Sequence, residues 1–467
     1  MPAKELVWRI VGAAFSGVLL SLCFPMWSMP WLMLPAITIL LFAIRGTRGR
    51  AAFYLALLHG MIGYGLTMPW MVKIFSGIAF GLFFLIAVFT ALFSLIFIRL
   101  ERRTRSGMWL ALGTATLWTG IEFYRSEWFP LRFPWVTPGS AWGVAAWLPV
   151  IGVYGGTFLT VLASALFLRR KTIIFGAILS VLLISQSFWK PAEVIVTDAD
   201  AVVVGLVQLE GQPLETYIQQ TQLLKKQNPD LVIWPECSLP YDIRNQKIQY
   251  KALTQLVTEM NCTFIVGTRT VVGSAPKAWR NTALVLEPDG VKGEYCKARP
   301  VHFFNDGMVG HDFNPVKTTQ GAIGTPICFD CDYSQVLLRM AQNGVEYFAV
   351  PSCDPTYWTT LQHYQHAQFF QIRAAETGKW LACAATSGIS QIIDPKGRVC
   401  ATIAPMEEGV TSYRIGRRSR ATFYTRIGWL FPWVASGVAL LLSLFLYLPA
   451  TVAKAFHFPV DPFGCNR

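Results

Sequence analysis

Charged residues are scarce in this chain of 467 residues. Asp, Glu, Lys and Arg make up 14% of it, against about 25% in an ordinary soluble domain. Hydrophobic residues make up 53%, and the mean hydropathy is +0.41. This composition excludes a disordered chain and argues strongly against a wholly soluble protein.

Acidic residues are the scarcer charged class, with 27 Asp and Glu against 40 Lys and Arg, for a net charge of +13. In membrane proteins such an excess lies mainly in cytoplasmic loops, so it is weak evidence for a nucleic-acid partner. Cysteine is also sparse, because ten residues in 467 are far from a disulfide scaffold. We therefore set aside both nucleic-acid binding and a disulfide-stapled fold.

Long stretches without Asp, Glu, Lys or Arg predict eight membrane spans, since one span needs about 20 residues. The first stretch, 10–44, is too long for one span, and Pro25 and Pro30 divide it into two. The other spans are 51–72, 74–98, 108–121, 148–168, 172–189 and 428–453. The first stretch is not a cleaved signal, because no small-residue cleavage site follows it and more spans come directly after. Seven spans before the insert exceed what an anchor needs, so we expect them also to shape a lipid-facing site.

Lys and Arg in the short loops predict the orientation of these spans. One side carries Lys4, Arg9, Arg45, Arg48, Arg50, Arg99, Arg102, Arg103, Arg105, Arg169, Arg170, Lys171 and Lys454. The other side carries Lys73, Arg125 and Arg132. Both termini are therefore expected in the cytoplasm, and the insert between the last two spans is expected outside it.

The insert, about residues 195–425, predicts an α/β domain. Short apolar runs rich in β-branched residues alternate in part with amphipathic stretches, which is the pattern of strands and helices. The predicted strands are 201–206, 231–234, 263–266, 282–286 and 344–350, and the predicted helices are 215–227, 247–260 and 362–377.

Three places in the insert carry candidate catalytic residues, and each has a plainer alternative. Glu236 follows the buried strand 231–234, where catalytic groups of α/β folds commonly lie, although the segment alone favours a solvated carboxylate. Lys297 follows another strand, where a lysine is usually a surface charge. Cys328 ends a strand of small residues, where cysteine is most often a buried apolar residue. The spacing of Cys328 and Cys331 also permits a redox pair or half of a zinc site.

Taken in order, these three places resemble a known family. Trp-Pro-Glu236, Lys297 after a tyrosine-bearing strand and Ile-Cys328 resemble the Glu–Lys–Cys triad of the nitrilase, or carbon–nitrogen hydrolase, superfamily. Framed by eight spans, the chain is similar to the apolipoprotein N-acyltransferase family, whose members complete bacterial lipoprotein maturation. Further similar segments are 117–125, 133–135, 152–155, 281–283, 362–376, 386–388, 394–397 and 422–428.

The resemblance implies the organisation of the chain. It implies a membrane domain with seven transmembrane helices at 1–194 and an extracytoplasmic nitrilase-like αββα sandwich at 195–425. An eighth helix and a cytoplasmic tail follow at 426–467. The expected location is the bacterial inner membrane.

The resemblance also implies the chemistry. Glu236 would be the general base, Cys328 the nucleophile, and Lys297 the charge that stabilises the thiolate and the oxyanion. The backbone N–H of Phe329 would be a second oxyanion donor. A phospholipid would donate its acyl chain through a thioacyl enzyme to the α-amine of a diacylglyceryl-cysteine, and this chemistry needs no metal or organic cofactor.

Two departures from the family pattern lie beside the triad. The second glutamate of the family falls on Asn305, with Asp306 next to it, and the glutamate after the nucleophile is replaced by Asp330. The shorter Asp330 side chain is expected to support the site rather than to act as its base. Phe329, Asp330, Asn305 and Asp306 are therefore the expected supporting residues.

Two other functions remain open at this point. One is a membrane-anchored amidase that acts on a small amide. The other is a transporter or receptor whose external domain only binds, although the predicted spans lack the ionisable residues of an ion path.

Overall fold

The computed structural model describes residues 2–273, 278–417 and 420–448. The chain divides into a helical unit, residues 2–147, 151–189 and 427–448, and an α/β unit, residues 148–150 and 190–426 with the gaps just given. The end of the predicted span 428–453 and the whole predicted cytoplasmic tail, with Lys454, lie outside the described residues.

The first eight helices of the chain follow its apolar segments. They are α1 Ala3–Ser21, α2 Met33–Ile44, α3 Gly49–Thr67, α4 Trp70–Phe75, α5 Ile78–Arg103, α6 Gly107–Phe123, α7 Leu148–Leu166 and α8 Ile173–Gln186. A 3₁₀ turn at Pro30–Leu32 separates α1 from α2, because proline fits the first position of a helix but not its interior.

The α/β unit adds strands β1 to β12 and helices α9 to α13. The strands are β1 Ala201–Gln208, β2 Leu231–Ile233, β3 Thr263–Val271, β4 Trp279–Glu287, β5 Gly290–Cys296, β6 Val316–Thr318, β7 Gly321–Gly324, β8 Tyr347–Pro351, β9 Leu381–Ala384, β10 Ser390–Ile393, β11 Val399–Ile403 and β12 Gly409–Gly416. The helices are α9 Leu214–Gln222, α10 Lys247–Met260, α11 Ser334–Gln342, α12 Thr360–Thr377 and α13 Phe423–Arg426.

A last helix, α14 Phe431–Tyr447, follows a 3₁₀ turn at Gly428–Leu430. Within the described residues, three helical segments are long and apolar enough to cross a membrane: Ile78–Arg103, Leu148–Leu166 and Gly428–Tyr447. A helix occupies each of the other predicted spans. However, α1 includes Lys4, Glu5 and Arg9, and α2 has only 12 residues. The predicted count of eight spans is therefore not confirmed.

The helical unit also contains a buried carboxylate that the prediction placed beyond its apolar segment. Helix α6 continues to Phe123 and thereby includes Glu122. The Thr157 hydroxyl donates to Glu122 Oε1 over 2.6 Å, and the Trp118 indole donates to Oε2 over 3.3 Å. These hydrogen bonds compensate the burial of a polar group.

Two six-stranded sheets form the α/β unit in the described part of the chain. Their strand orders are β12-β1-β2-β3-β4-β5 and β11-β10-β9-β8-β7-β6. In each sheet three adjacent strands run parallel, β1-β2-β3 and β7-β8-β9, and the remaining pairs are antiparallel. The sheets pack against each other through β1 and β9 and through β3 and β8.

Helices cover the outer faces of this sandwich. In α10 the buried residues Leu253, Leu256, Val257 and Met260 recur at the spacing of one helical face. That face packs in a core cluster with the fully buried Trp234, whose indole donates to Thr221 Oγ1 over 2.9 Å. Burying each such side chain contributes about 1.5–3 kcal/mol, so this cluster fixes the segment that follows β2.

Candidate active site

Glu236 lies just beyond the carboxyl end of β2, as the sequence predicts for the residue after Trp234 and Pro235. The chain passes very close to β3 here, because a Cβ on Gly267 would approach Pro235 O to 2.2 Å. The Glu236 N–H donates to Ser352 O over 3.4 Å. Ser352 follows β8 in the other sheet, so Glu236 lies where strand ends of both sheets meet.

Lys297 follows β5, and its N–H donates to Asn281 O over 2.9 Å. Its ammonium lies 2.7 Å from Glu236 Oε1 and 2.7 Å from Asp306 Oδ2. Only 1% of the side chain is exposed. Burial by itself would lower the pKa of Lys297, but the two carboxylates raise it well above its usual value. Lys297 is therefore a fixed positive charge and not a surface lysine.

Cys328 lies four residues beyond β7, at the start of a 3₁₀ turn, Cys328–Asp332. Its φ of +49° is in the left-handed region that non-glycine residues rarely adopt. The buried thiol donates to Cys353 O over 3.6 Å. Burial raises the pKa of this thiol well above its usual value, so the resting thiol is protonated and would need a base to act as a nucleophile.

The two carboxylate oxygens of Glu236 have different surroundings. Oε1 accepts hydrogen bonds from Lys297 Nζ over 2.7 Å and from Asn281 Nδ2 over 2.6 Å. Oε2 is buried and receives no hydrogen bond from the described residues. Burial raises the pKa of Glu236, while Lys297 and the adjacent Cys328 thiol act in the opposite direction. A carboxyl of raised pKa that is adjacent to a thiol and has one oxygen without a hydrogen bond is suited to accept the proton of that thiol.

The fully buried Asp330 joins the two sides of the site. Its carboxylate accepts hydrogen bonds from the N–H groups of Ala298, Arg299 and Ile327 and from the Tyr295 hydroxyl, at 2.7–3.1 Å for the closest contact of each. Every donor is a backbone amide or a phenol, and none belongs to the triad. Asp330 thus fixes the chain after Lys297 to the turn that carries Cys328.

The other three predicted supporting residues, Asp306, Asn305 and Phe329, have different surroundings. Asp306 contacts Lys297, as described, and also accepts from the Val301 N–H over 2.8 Å. Asn305 is exposed, so the acidic partner of the lysine is its neighbour in sequence. Phe329 packs edge-on against Tyr333, with 5.1 Å between the ring centroids.

Asn281 belongs to the site but was not predicted as a site residue. Its amide donates to Glu236 Oε1 and, over 2.7 Å, to Asp306 Oδ1. The sequence signal was the segment Asn281-Thr-Ala, which was noted only for its resemblance to the family. The pairing of β4 with β5 places Asn281 beside Lys297, which sequence alone does not show.

The Cys328-x-x-Cys331 spacing does not form a disulfide in this structure, since both cysteines are free thiols. Cys331 is fully buried in the same turn. It therefore serves as a matched comparison for Cys328 in the experiments below.

We expect Lys297→Ala to slow acylation of Cys328 by about 10²-fold, the usual scale for loss of one oxyanion donor. The change removes the charge that faces both the thiolate and the oxyanion, and it leaves the buried Glu236 and the partly buried Asp306 without this cation. Lys297→Arg should restore little, because a planar guanidinium replaces a compact ammonium. Single-turnover acylation measures the effect, and normal acylation in Lys297→Ala would exclude this residue from the triad.

Asp330→Asn is expected to lower activity about tenfold, clearly less than Glu236→Gln. An amide NH₂ would face N–H donors, and a buried donor left unsatisfied costs about 1–3 kcal/mol. Asp330→Glu retains both acceptor oxygens and should keep more activity. Turnover and thermal unfolding should be measured together. A loss equal to that of Glu236→Gln would mean that Asp330 is the base.

Two family models match this chain. Residues 16–166 match the apolipoprotein N-acyltransferase N-terminal domain. Residues 204–423 match the carbon–nitrogen hydrolase domain, which contains Glu236, Lys297 and Cys328.

Curated relatives match over most of their length. The apolipoprotein N-acyltransferase of Pseudomonas aeruginosa is 25% identical, over 80% of this chain and 83% of that protein. The one of Geobacter metallireducens is 24% identical, over 92% of this chain and 94% of that protein. Among solved structures, Saccharomyces cerevisiae Nit3, of the nitrilase superfamily, is 19% identical, with a TM-score of 0.41 over 48% of this chain and 93% of that one.

Proposed function

The chain belongs to the apolipoprotein N-acyltransferase family, and from this premise we propose that it transfers an acyl chain from a phospholipid, through thioacyl-Cys328, to the α-amine of a diacylglyceryl-cysteine. The observation that carries the catalytic part is the pair of buried contacts at Glu236. Lys297 Nζ lies 2.7 Å from Oε1, Oε2 receives no hydrogen bond from the described residues, and the Cys328 thiol is adjacent to this carboxylate.

The first half-reaction forms the thioester. Glu236 accepts the thiol proton while Cys328 Sγ attacks the ester carbonyl of the phospholipid. The oxyanion of the tetrahedral intermediate is stabilised by Lys297 and by the N–H of Phe329. When the intermediate collapses, the C–O bond to the glycerol breaks. Glu236 returns the proton to the leaving oxygen, and a lysophospholipid departs.

The second half-reaction transfers the acyl group. The α-amine of the acceptor attacks the thioester carbonyl, and Glu236 accepts a proton from the nitrogen. Collapse breaks the C–S bond, forms the amide and returns that proton to Cys328 Sγ. Every bond and proton of the two half-reactions is accounted for, so the reaction needs only the phospholipid acyl donor and the amine acceptor.

The acyl-enzyme test separates this function from an amidase. Purified enzyme is mixed with phospholipid alone, and its intact mass and the modified peptide are measured. We expect a mass increase of one acyl chain on Cys328, and release of that chain when a diacylglyceryl-cysteine peptide is added. An enzyme that stays unmodified by phospholipid but is acylated by a small amide would instead be an amidase.

We also propose a location. The long apolar helices are compatible with a membrane protein, and the distribution of Lys and Arg supports cytoplasmic termini and an α/β unit on the outer side of the inner membrane.

A labelling experiment tests this topology. A tag between α5 and α6, at residues 104–106, should react only with a reagent in the cytoplasm. A tag in the turn before Gly290, which joins β4 to β5, should react only from outside. Both insertions must retain acylation, and cytoplasmic labelling of the second tag would contradict the proposed location.

A further inference from the structure

His366 is a buried histidine on α12, held between two carboxylates. Its Nδ1 lies 2.8 Å from Asp354 Oδ1, and its Nε2 lies 3.2 Å from Asp332 Oδ1. All three side chains are at most 3% exposed. Burial by itself would lower the pKa of His366, but Asp354 and Asp332 raise it to about 10. The imidazole is therefore cationic at neutral pH.

The two carboxylates belong to the two segments that contact the nucleophile and the base. Asp332 ends the turn that starts at Cys328. Asp354 ends the segment 352–354, whose carbonyls accept from the Glu236 N–H at Ser352 and from the Cys328 thiol at Cys353. The imidazolium thus bridges the nucleophile's turn to the segment that also contacts the base.

Helix α12 holds the same turn at a second point. Arg373 donates to Cys331 O and to Asp332 O, both over 3.0 Å. Gln362, one turn before His366, donates to Asp354 Oδ1 over 3.1 Å. The helix therefore contacts the backbone of the nucleophile's turn and both carboxylates, and the two ring nitrogens of His366 join the two sides.

We infer that His366 is a positioning residue for acyl transfer: it keeps the Cys328 turn and segment 352–354 in register, so that the thiol stays beside Glu236. The inference rests on the proposed function only through the identity of Cys328 as nucleophile. A residue of this kind should affect the rate of thiol attack and not the affinity for phospholipid.

Two variants test the inference. They differ in the net charge that remains on the cluster of His366, Asp354 and Asp332. His366→Gln removes the cation that lies between two buried carboxylates and is expected to unfold at a lower temperature. The double variant Asp354→Asn/His366→Gln removes one charge of each sign, so the cluster keeps the parent's net charge. In both variants we expect acylation of Cys328 by phospholipid to slow at least tenfold per folded molecule at unchanged KM. Alkylation of Cys328 by iodoacetamide should slow in parallel.

Glu287→Gln is the matched control. Glu287 is also buried and accepts from Thr263 Oγ1 and from the Thr319 N–H and hydroxyl, over 2.6–2.9 Å. Its loss should lower stability and leave both rates per folded molecule within twofold of the parent.

Either variant with parent rates of acylation and alkylation would overturn the inference. Failure of both variants to fold would also overturn it, because His366 would then stabilise the whole unit. A parent enzyme that alkylates at Cys328 but never acylates there would contradict the proposed function alone, since the alkylation comparison still tests His366.

Discussion

Cys328→Ser should reduce phospholipid-dependent acylation by at least about 10⁴-fold, on the scale seen when a catalytic nucleophile is removed. Serine fits the same position, but its hydroxyl is far less acidic than a thiol, so Glu236 cannot readily deprotonate it. Because Ser is nearly isosteric with Cys, the left-handed turn at residue 328 should persist. The measurement is single-turnover transfer from a labelled phospholipid, with the thermal unfolding midpoint as the test of folding.

Cys331→Ser is the control for this experiment. Cys331 is fully buried in the same 3₁₀ turn, so this variant controls for replacing a buried thiol by a hydroxyl. It should retain acylation within a few-fold. Activity of Cys328→Ser near that of the parent would contradict the assignment, and Cys331 would then be the next candidate.

Glu236→Gln should slow both half-reactions by about 10³-fold, within the 10²–10⁴ range of general-base catalysis. Lys297 and Asn281 both donate to the Oε1 position, so the glutamine must place its carbonyl oxygen there. Its NH₂ group then occupies the Oε2 position, beside the thiol, and offers no lone pair for the proton. The side chain has the same shape, so the fold should persist.

The pH dependence of the rate of Cys328 acylation tests whether Glu236 is the base. Burial raises the pKa of Glu236, so the fraction of enzyme with a competent base rises with pH through that raised value. The parent should therefore show an acidic limb in the rate of Cys328 acylation. Glu236→Gln should lose that limb. If the variant retains it, another group is the base.

Strand and helix periodicity is a local property, so the sequence alone identified part of the α/β unit: strands that overlap β1, β2, β3, β4 and β8, and helices that overlap α9, α10 and α12. The predicted helix 247–260 has the bounds of α10, and strand 201–206 lies within β1. It also placed Glu236 and Lys297 after strands and Cys328 at the end of one. In the structure the last strand residue before Cys328 is Gly324, and Cys328 starts a 3₁₀ turn that brings its thiol beside Glu236. Residues that follow strands converge when those strands run in the same direction. β2 and β5 do so, because β2 is parallel to β3 and two antiparallel pairings separate β3 from β5. The catalytic roles of the three residues stay predictions until the variants are measured.

Local composition was insufficient to predict the bounds of the apolar helices. Absence of charge marked the apolar segments but not where each helix ends. Helix α1 begins among charged residues at its amino end, and α6 extends to include Glu122. A buried carboxylate is tolerated there because Thr157 and Trp118 supply hydrogen bonds from the same unit. Thr157 is distant in sequence and Trp118 lies one helical turn away on the same face, so composition cannot show these partners.

Tertiary structure alone decided which polar side chains complete the site. Asp306, and not Asn305, reaches Lys297, because the loop after Lys297 directs one of two adjacent residues inwards. Asn281 and His366 lie in segments whose only sequence signal was their resemblance to the family, since the contacts of each side chain are with groups from other elements of the fold. The sequence determined which residue types follow each strand. The polar and charged side chains of these residues have ion-pair and hydrogen-bond partners only because the two sheets and α12 pack together. Buried polar groups require such partners, and the tertiary fold decides which groups supply them.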